Sequence, residues 1–282
     1  MSSERASKTI DLIEPCLRAA FSASTSRPFV VGISGPQGSG KSTVSAGLQT
    51  RLEATGLNVA LLSIDDLYLP REARERLAET VHPMLRTRGV PGTHDIALGE
   101  AVIDACGRSG CIALPRFSKQ DDTRRPEAQW ARIEGPIDIL LFEGWCVGAA
   151  AQAGAALIEP VNALEREEDE AAIWRRWVND RLASDYRRLF GRIDWQTLLA
   201  APGFGVVSAW RREQEHSLRA ALVAEGRDLA ATLDDAGVDR FIQYYQRITE
   251  HMLAEMRPRS DLVVELDVER RATIAKRGRS AR

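Results

Sequence analysis

The sequence predicts an α/β protein built on a mostly parallel sheet of five or slightly more strands, with helices on both faces. Three observations predict it. Short, nearly continuous apolar runs recur at Phe29–Ser34, Asn58–Ile64, Ile137–Phe142, Ile193–Ala200 and Asp261–Asp267, the pattern of strands buried on both faces. Longer stretches with apolar residues at helical spacing lie between them. The first three runs end on their carboxyl sides in Gly35, Asp65 and Glu143, at the edge where open parallel sheets bind ligands.

The chain has 282 residues, enough for one large α/β domain with a full core, and a single domain over 1–282 is expected because no repeat or low-complexity linker divides it. Hydrophobic residues at 44% and charged residues at 28% are ordinary for a globular protein. A net charge of -2 argues against broad nucleic-acid binding, which needs a basic surface to displace counterions. Cys16, Cys106, Cys111 and Cys146 form no metal or redox spacing and read as reduced thiols. With no membrane-length apolar run and a polar Met1–Lys8, the expectation is a cytoplasmic protein with a small-molecule substrate and neither nucleic-acid nor membrane partners.

Segment 1–27 reads as an N-terminal helix beside the sheet, with Ile10, Ile13, Leu17 and Phe21 on one face. After the first strand, Gly35-Pro36-Gln37-Gly38-Ser39-Gly40-Lys41-Ser42 fits G-x-x-x-x-G-K-[ST] without a mismatch. Its glycines let backbone N–H groups turn inward onto phosphate oxygens, and the following helix adds its positive N-terminal end. This strand, loop and helix start specify a P-loop NTPase fold. Gly35, Gln37, Gly38, Ser39, Gly40, Lys41, Ser42 and Thr43 are the nucleotide-binding residues, with Lys41 on the β- and γ-phosphates of ATP and the Ser42 hydroxyl on Mg2+. The helix runs from Lys41 to about Ala54 and stops before Gly56.

The second strand ends in Asp65-Asp66-Leu67-Tyr68, on the same predicted rim as the phosphate loop. Asp65 is the candidate base for a substrate hydroxyl attacking the γ-phosphate. Asp66 either caps the following turn or joins Tyr68 on the acceptor side. Arg86–Asp95 is a loop fixed by two glycines and a proline that gathers Arg86, Arg88, His94 and Asp95, suited to a polar substrate. A helix from Ile96 to Gly107 and a short strand near Cys111–Leu114 follow. The polar stretch 116–126 reads either as solvated loop or as a substrate-facing one in which Arg116 and Lys119 neutralise an anion.

Glu143 closes the next core strand and becomes the carboxylate that helps hold Mg2+, whereas Asp138 lies at the strand's opposite end. The charge run Glu165–Glu170 reads as a solvated helix start, with helix continuing through Ala171–Leu189. After the Ile193–Ala200 strand, a helix over Val206–Glu225 carries Arg211 and Arg212. These read either as lid arginines closing over the triphosphate, with Arg211 catalytic, or as an exposed ion-paired face. Val238–Met256 is a helix whose Phe241, Tyr244 and Tyr245 read as core, Asp261–Asp267 a final strand, and 270–282 a flexible basic tail.

The ordered set Gly35–Thr43, Ser63–Tyr68, Arg88–Asp95, Leu114–Phe117, Phe142–Trp145 and Trp210–Glu215 resembles the D-glycerate 3-kinase family, within the group containing phosphoribulokinase, uridine kinase and bacterial pantothenate kinase. The likeness spans about Phe29 to Val268. It implies an ATP- and Mg2+-dependent kinase acting on a hydroxyl of a small acid, D-glycerate giving 3-phosphoglycerate, with pantothenate, a nucleoside or a sugar phosphate as alternative acceptors and a non-catalytic ATP-binding module as the alternative to an enzyme; Asp65 matches the group's catalytic aspartate, Glu143 its metal-side carboxylate and Arg88–Asp95 a substrate-side element. One stretch departs from the family's pattern: Ser118 stands where an acidic residue is expected, followed by Gln120-Asp121-Asp122-Thr123-Arg124-Arg125. The Asn-Lys-x-Asp sequence that reads guanine is absent, which argues against a nucleotide switch.

Overall fold

The computed structural model describes residues 3–229 and 232–277. From the amino terminus come α1 (Ser3–Ala23), β1 (Phe29–Ser34), α2 (Lys41–Glu53), β2 (Val59–Ser63), α3 (Arg71–Thr80) and α4 (Ile96–Cys106). The middle of the chain forms β3 (Gly110–Leu114), β4 (Phe117–Ser118), β5 (Thr123–Arg124), β6 (Ala131–Gly135) and β7 (Ile139–Gly144). The remainder supplies α5 (Ala163–Glu168), α6 (Ile173–Arg181), α7 (Arg187–Phe190), β8 (Trp195–Ala200), α8 (Phe204–Ala224), α9 (Asp235–Arg259), β9 (Leu262–Leu266) and β10 (Ala272–Arg277).

Six strands pair in the order β10-β9-β8-β1-β7-β2. All but β10 run parallel, so the expected mostly parallel α/β sheet is what forms. Every residue of β1, β7 and β8 is buried, which explains their largely apolar composition. β1 lies between strands that follow it much later in the chain, and this centre of the sheet opens at its carboxyl edge into the crevice of an open α/β fold.

The aspartates at the amino ends have a structural task. Asp194, Asp138 and Asp261 each accept a hydrogen bond from the first backbone N–H groups of a neighbouring strand or its approach, at Val30, Asn58 and Gln196 respectively, at 2.8–2.9 Å. These bonds satisfy backbone donors that the ladder leaves unpaired. The acids at the carboxyl edge, Asp65, Asp66 and Glu143, take no part in these bonds.

Three expectations need correction. The segment 270–282 is not a tail throughout, because Ala272–Arg277 forms β10, antiparallel on β9; residues 278–282 lie outside the described residues. The charge run Glu165–Glu170 is only partly solvated: Glu165 is buried in a paired contact with Arg247 at 2.7 and 2.6 Å, and Asp169 is buried against Arg175 at 3.0 Å. Removing one partner of such a buried pair costs about 3–5 kcal/mol. The helix predicted over Ala171–Leu189 is interrupted, since Ala172 is left-handed (φ 58°) and Leu182–Tyr186 forms a wider π-helical turn. That turn directs Tyr186 into the core below the Arg86–Asp95 loop. The β3 strand is present but pairs with β6 in a separate antiparallel ribbon, a nonlocal partner that its sequence does not signal. No helix among the described residues is long and apolar enough to cross a membrane.

Candidate active site

The phosphate loop leaves β1 at Ser34 and enters α2 at Lys41, as the motif requires. Gly38 and Gly40 have φ of 76° and 89°, the left-handed region that glycine tolerates without steric cost. Gly38 is excluded from any other identity by space as well, because a Cβ there would lie 2.6 Å from Trp210 Cβ. Ser39 N–H donates to Pro36 O at 3.2 Å, closing the turn.

Strand register aligns the acids. Ile33 of β1, Glu143 of β7 and Ser63 of β2 stand in one row across the sheet, and Asp65 follows two residues beyond Ser63. Ser42 Oγ donates to Glu143 Oε1 at 3.1 Å. Glu143 is 5% exposed, yet its Oε2 has no hydrogen-bond partner among the described residues. A buried anionic oxygen without a donor is costly alone and is what a hard cation ligated through oxygen would satisfy, so this pair fits Mg2+.

Asp65 sits in a short 3-10 turn, where its N–H donates to Ser63 Oγ. Its carboxylate accepts from Tyr68 Oη at 2.7 Å and from Lys119 Nζ at 2.6 Å. Burial pushes the Asp65 carboxyl up, but the adjacent Lys119 ammonium, Lys41 and the Tyr68 hydroxyl outweigh it and hold the pKa at about 2. Burial, and then Asp65 itself, push the Tyr68 phenol well above its usual value, so Tyr68 remains a donor at neutral pH.

A layer of packed groups supports that donor. His94 stacks on Tyr68 with ring centroids 4.7 Å apart and planes at 25°. Its Nδ1 lies 2.5 Å from Tyr186 Oη, which also accepts the Gly92 N–H at 2.8 Å. Tyr186 is itself held protonated, chiefly by burial, and can donate its hydroxyl proton to Nδ1. Burial lowers the His94 pKa to about 4, so the ring is neutral at neutral pH.

The Arg88 loop is pinned from several sides. Trp145 Nε1 donates to Gly89 O at 3.0 Å and Tyr245 Oη to Arg88 O at 3.2 Å. Gly89 has φ 129°, and a Cβ there would meet the Tyr245 hydroxyl at 2.1 Å. Arg88 Nη1 donates to Asp122 at 2.5 Å, and its guanidinium lies 5.9 Å from the Phe117 ring centroid. The buried Arg74 holds Asp122 from behind, donating to its carboxylate at 2.5 Å and also to Arg86 O and Leu69 O.

A cleft of about 500 Å³ joins these parts. Its walls include Gln37, Gly38, Gly40, Lys41, Ser42, Thr43, Asp65, Tyr68, Arg88, Lys119 and Arg211. It is large enough for a nucleotide and a small acceptor together, within the usual range of ligand pockets.

No family model matches the chain. The kinase mug58 of Schizosaccharomyces pombe is 33% identical over 228 residues, covering 78% of this chain and 79% of that protein. The chain belongs to the P-loop kinases of the phosphoribulokinase and uridine kinase group. The chloroplastic D-glycerate 3-kinase of Arabidopsis thaliana is 26% identical over 266 residues, covering 88% of this chain and 54% of that protein. The solved D-glycerate 3-kinase of Cryptococcus neoformans var. grubii superposes with a TM-score of 0.74 at 23% identity, over 95% of this chain and 97% of that one, a likeness of fold. The chain is an ATP-dependent small-molecule kinase.

In this kinase the predicted site residues separate into two sets. The cleft wall takes all of the phosphate-loop candidates except the buried Gly35 and Ser39, together with Asp65, Tyr68, Arg88, Lys119 and Arg211. Asp66, His94, Asp95, Arg116 and Glu143 lie outside that wall, Glu143 touching it through the Ser42 hydroxyl. Asp66 accepts from Arg116 at 2.7 Å and from the Phe117 N–H at 3.0 Å; Asp95 caps α4 through the Leu98 N–H and pairs with Arg124 at 3.0 Å. Arg211 pairs with Glu215 at 2.6 Å while facing the Phe241 ring, so the helix is ion-paired and still lines the kinase cleft. Sequence reasoning missed Trp145, Trp210, Glu213, Phe241, Tyr245 and Arg270 as cleft residues. Trp145 was findable from its place beside Glu143, whereas Arg270 carries no local signal.

Proposed function

We propose that this kinase moves the γ-phosphate of ATP to a hydroxyl of a small organic acid, with D-glycerate as the acceptor and 3-phosphoglycerate as the product. The observation that carries this reading is one cleft in which the ionised Asp65 stands between a phosphate loop and two cations, Lys119 and Arg88. A carboxylate acceptor needs such cations, and the D-glycerate 3-kinase of Arabidopsis thaliana among its relatives supports the choice of acid.

The phosphate loop and Lys41 hold the triphosphate, and Ser42 with Glu143 would hold Mg2+. When bound, that ion neutralises charge on the phosphate oxygens. Asp65 orients the acceptor hydroxyl and takes its proton as the oxygen–phosphorus bond forms and the bond from the γ-phosphorus to its bridging oxygen breaks, releasing ADP. An Asp with a pKa of about 2 is a weak base toward a free alcohol. Here the hydroxyl becomes acidic only as it bonds to phosphorus, so late proton transfer to Asp65 suffices. Tyr68 and Lys119 fix the carboxylate, and Arg211 on α8 stands where it can add positive charge to the transferring group.

An acceptor screen with ATP and Mg2+ tests the proposal. ADP release should rise with D-glycerate and far less with L-glycerate, pantothenate or uridine. Stimulation by uridine or pantothenate, with none by D-glycerate, would replace the acceptor while keeping the reaction type.

A further inference from the structure

Arg270 comes from the turn after the last parallel strand, 232 residues beyond the phosphate loop, yet its Nε donates to Gly38 O at 2.7 Å. The side chain is 4% exposed and its backbone is left-handed at φ 63°, a conformation unfavourable to a residue with a Cβ. Such strain persists where surrounding contacts fix it. Those contacts are specific. The guanidinium lies 5.1 Å from the centroid of the Trp210 ring on α8, and its Nη2 is 2.8 Å from Glu213 of the same helix. Trp210 Nε1 in turn donates to Val268 O at 2.9 Å, and its Cβ fills the space that only a glycine at position 38 leaves. Arg270, Trp210 and Gly38 all line the cleft.

We propose that Arg270 is a positioning residue of the nucleotide site, fastening the Gly38 peptide and the cleft-lining face of α8 to the turn between β9 and β10. By accepting from Arg270, Gly38 O is held away from the cleft's anion, and the loop keeps the form in which its N–H groups are presented to phosphate. The same guanidinium places positive charge beside the cradle, and Glu213, 60% exposed, is its replaceable surface partner. This inference rests on the reading of the cleft as the ATP site.

The test is ADP binding by titration calorimetry, with thermal unfolding and separate KM values for ATP and the acceptor. Arg270→Ala should weaken ADP by about tenfold, as expected for loss of one charge-assisted hydrogen bond, and raise KM for ATP alike. KM for the acceptor should stay within about twofold, a split that general loss of structure would not give. Arg270→Lys keeps the charge but cannot span Gly38 and Glu213 together, so it should recover only part of the affinity. Should Arg270→Ala fail to fold, Arg270→Lys and Trp210→Phe carry the test. Wild-type ADP affinity in the folded variants, or equal rises in both KM values, would overturn the proposal. A wild-type protein that binds no ADP would instead overturn the reading of the cleft.

Discussion

Lys119 Nζ lies 2.6 Å from Asp65 Oδ2 across 54 residues of chain, and this pair joins opposite charges on the wall of the cleft. Among the groups that lower the Asp65 pKa, Lys119 is foremost, acting against the burial that would raise it. The pair is partly exposed, with Lys119 at 61%, so it is strong in its effect on ionisation and modest as a source of stability.

Lys119→Met should therefore raise the Asp65 pKa. A carboxylate must be ionised to accept a proton, so the acid limb of the kcat/KM profile moves to higher pH in the variant, by about one unit or more. A profile whose acid limb stays in place would show that Lys119 does not control the base.

Glu143→Gln keeps an oxygen to accept from Ser42 but removes the charge of the buried, unpartnered Oε2. The Mg2+ concentration for half-maximal rate should rise roughly 10–100-fold, as for altered metal-site carboxylates, while metal-free ADP binding changes little. An unaltered Mg2+ dependence would remove Glu143 from the metal site.

Asp122→Asn tests the brace behind Arg88. With the charge gone, Arg88 and Arg74 lose the carboxylate they share at 2.5 Å. KM for a carboxylate acceptor should rise by roughly tenfold and KM for ATP should hold, because the role proposed for Arg88 is to bind the acceptor. Equal changes in both would mean that the stretch 118–125 supports the whole cleft rather than one half.

His94 makes the fold acid-sensitive. Its pKa in the folded chain is about 4, against 6.5 for the ordinary side chain. Between those values the unfolded chain binds the extra proton, so stability rises with pH; it is fully present above 6.5 and is lost as pH falls toward 4. From pH 7 to 5 the loss should be about 2 kcal/mol at most, seen by urea unfolding at both pH values. His94→Gln should flatten that difference, and an unchanged slope would place the sensitivity elsewhere.

The parts of the site legible in the sequence are those whose geometry is local. The phosphate loop follows from glycine conformations and a helix start within one short stretch, and Asp65 and Glu143 follow from the strands they terminate. Asp65 and Asp66 show where such reading stops. They are adjacent in a single turn, yet one lines the cleft and the other accepts from Arg116 and the Phe117 N–H. Only the packing of the β4–β5 hairpin against that turn separates their roles. His94 is legible as an unusual residue but not as a buried support under Tyr68, because its partner Tyr186 arrives from a π-helical turn 92 residues later. The departure at Ser118–Arg125 reads as loop composition, and its folded meaning lies in Asp122 between two arginines.

The bond from Arg270 to Gly38 has a further consequence, for assembly of the molecule. A contact across 232 residues should close late, because the entropy of joining distant segments is offset only once the strands between them have paired. Partly folded chains with a formed β1, phosphate loop and α2 would thus lack the final fastening. High-affinity nucleotide binding should be acquired in the last phase of refolding, making bound ADP a reporter of the completed sheet.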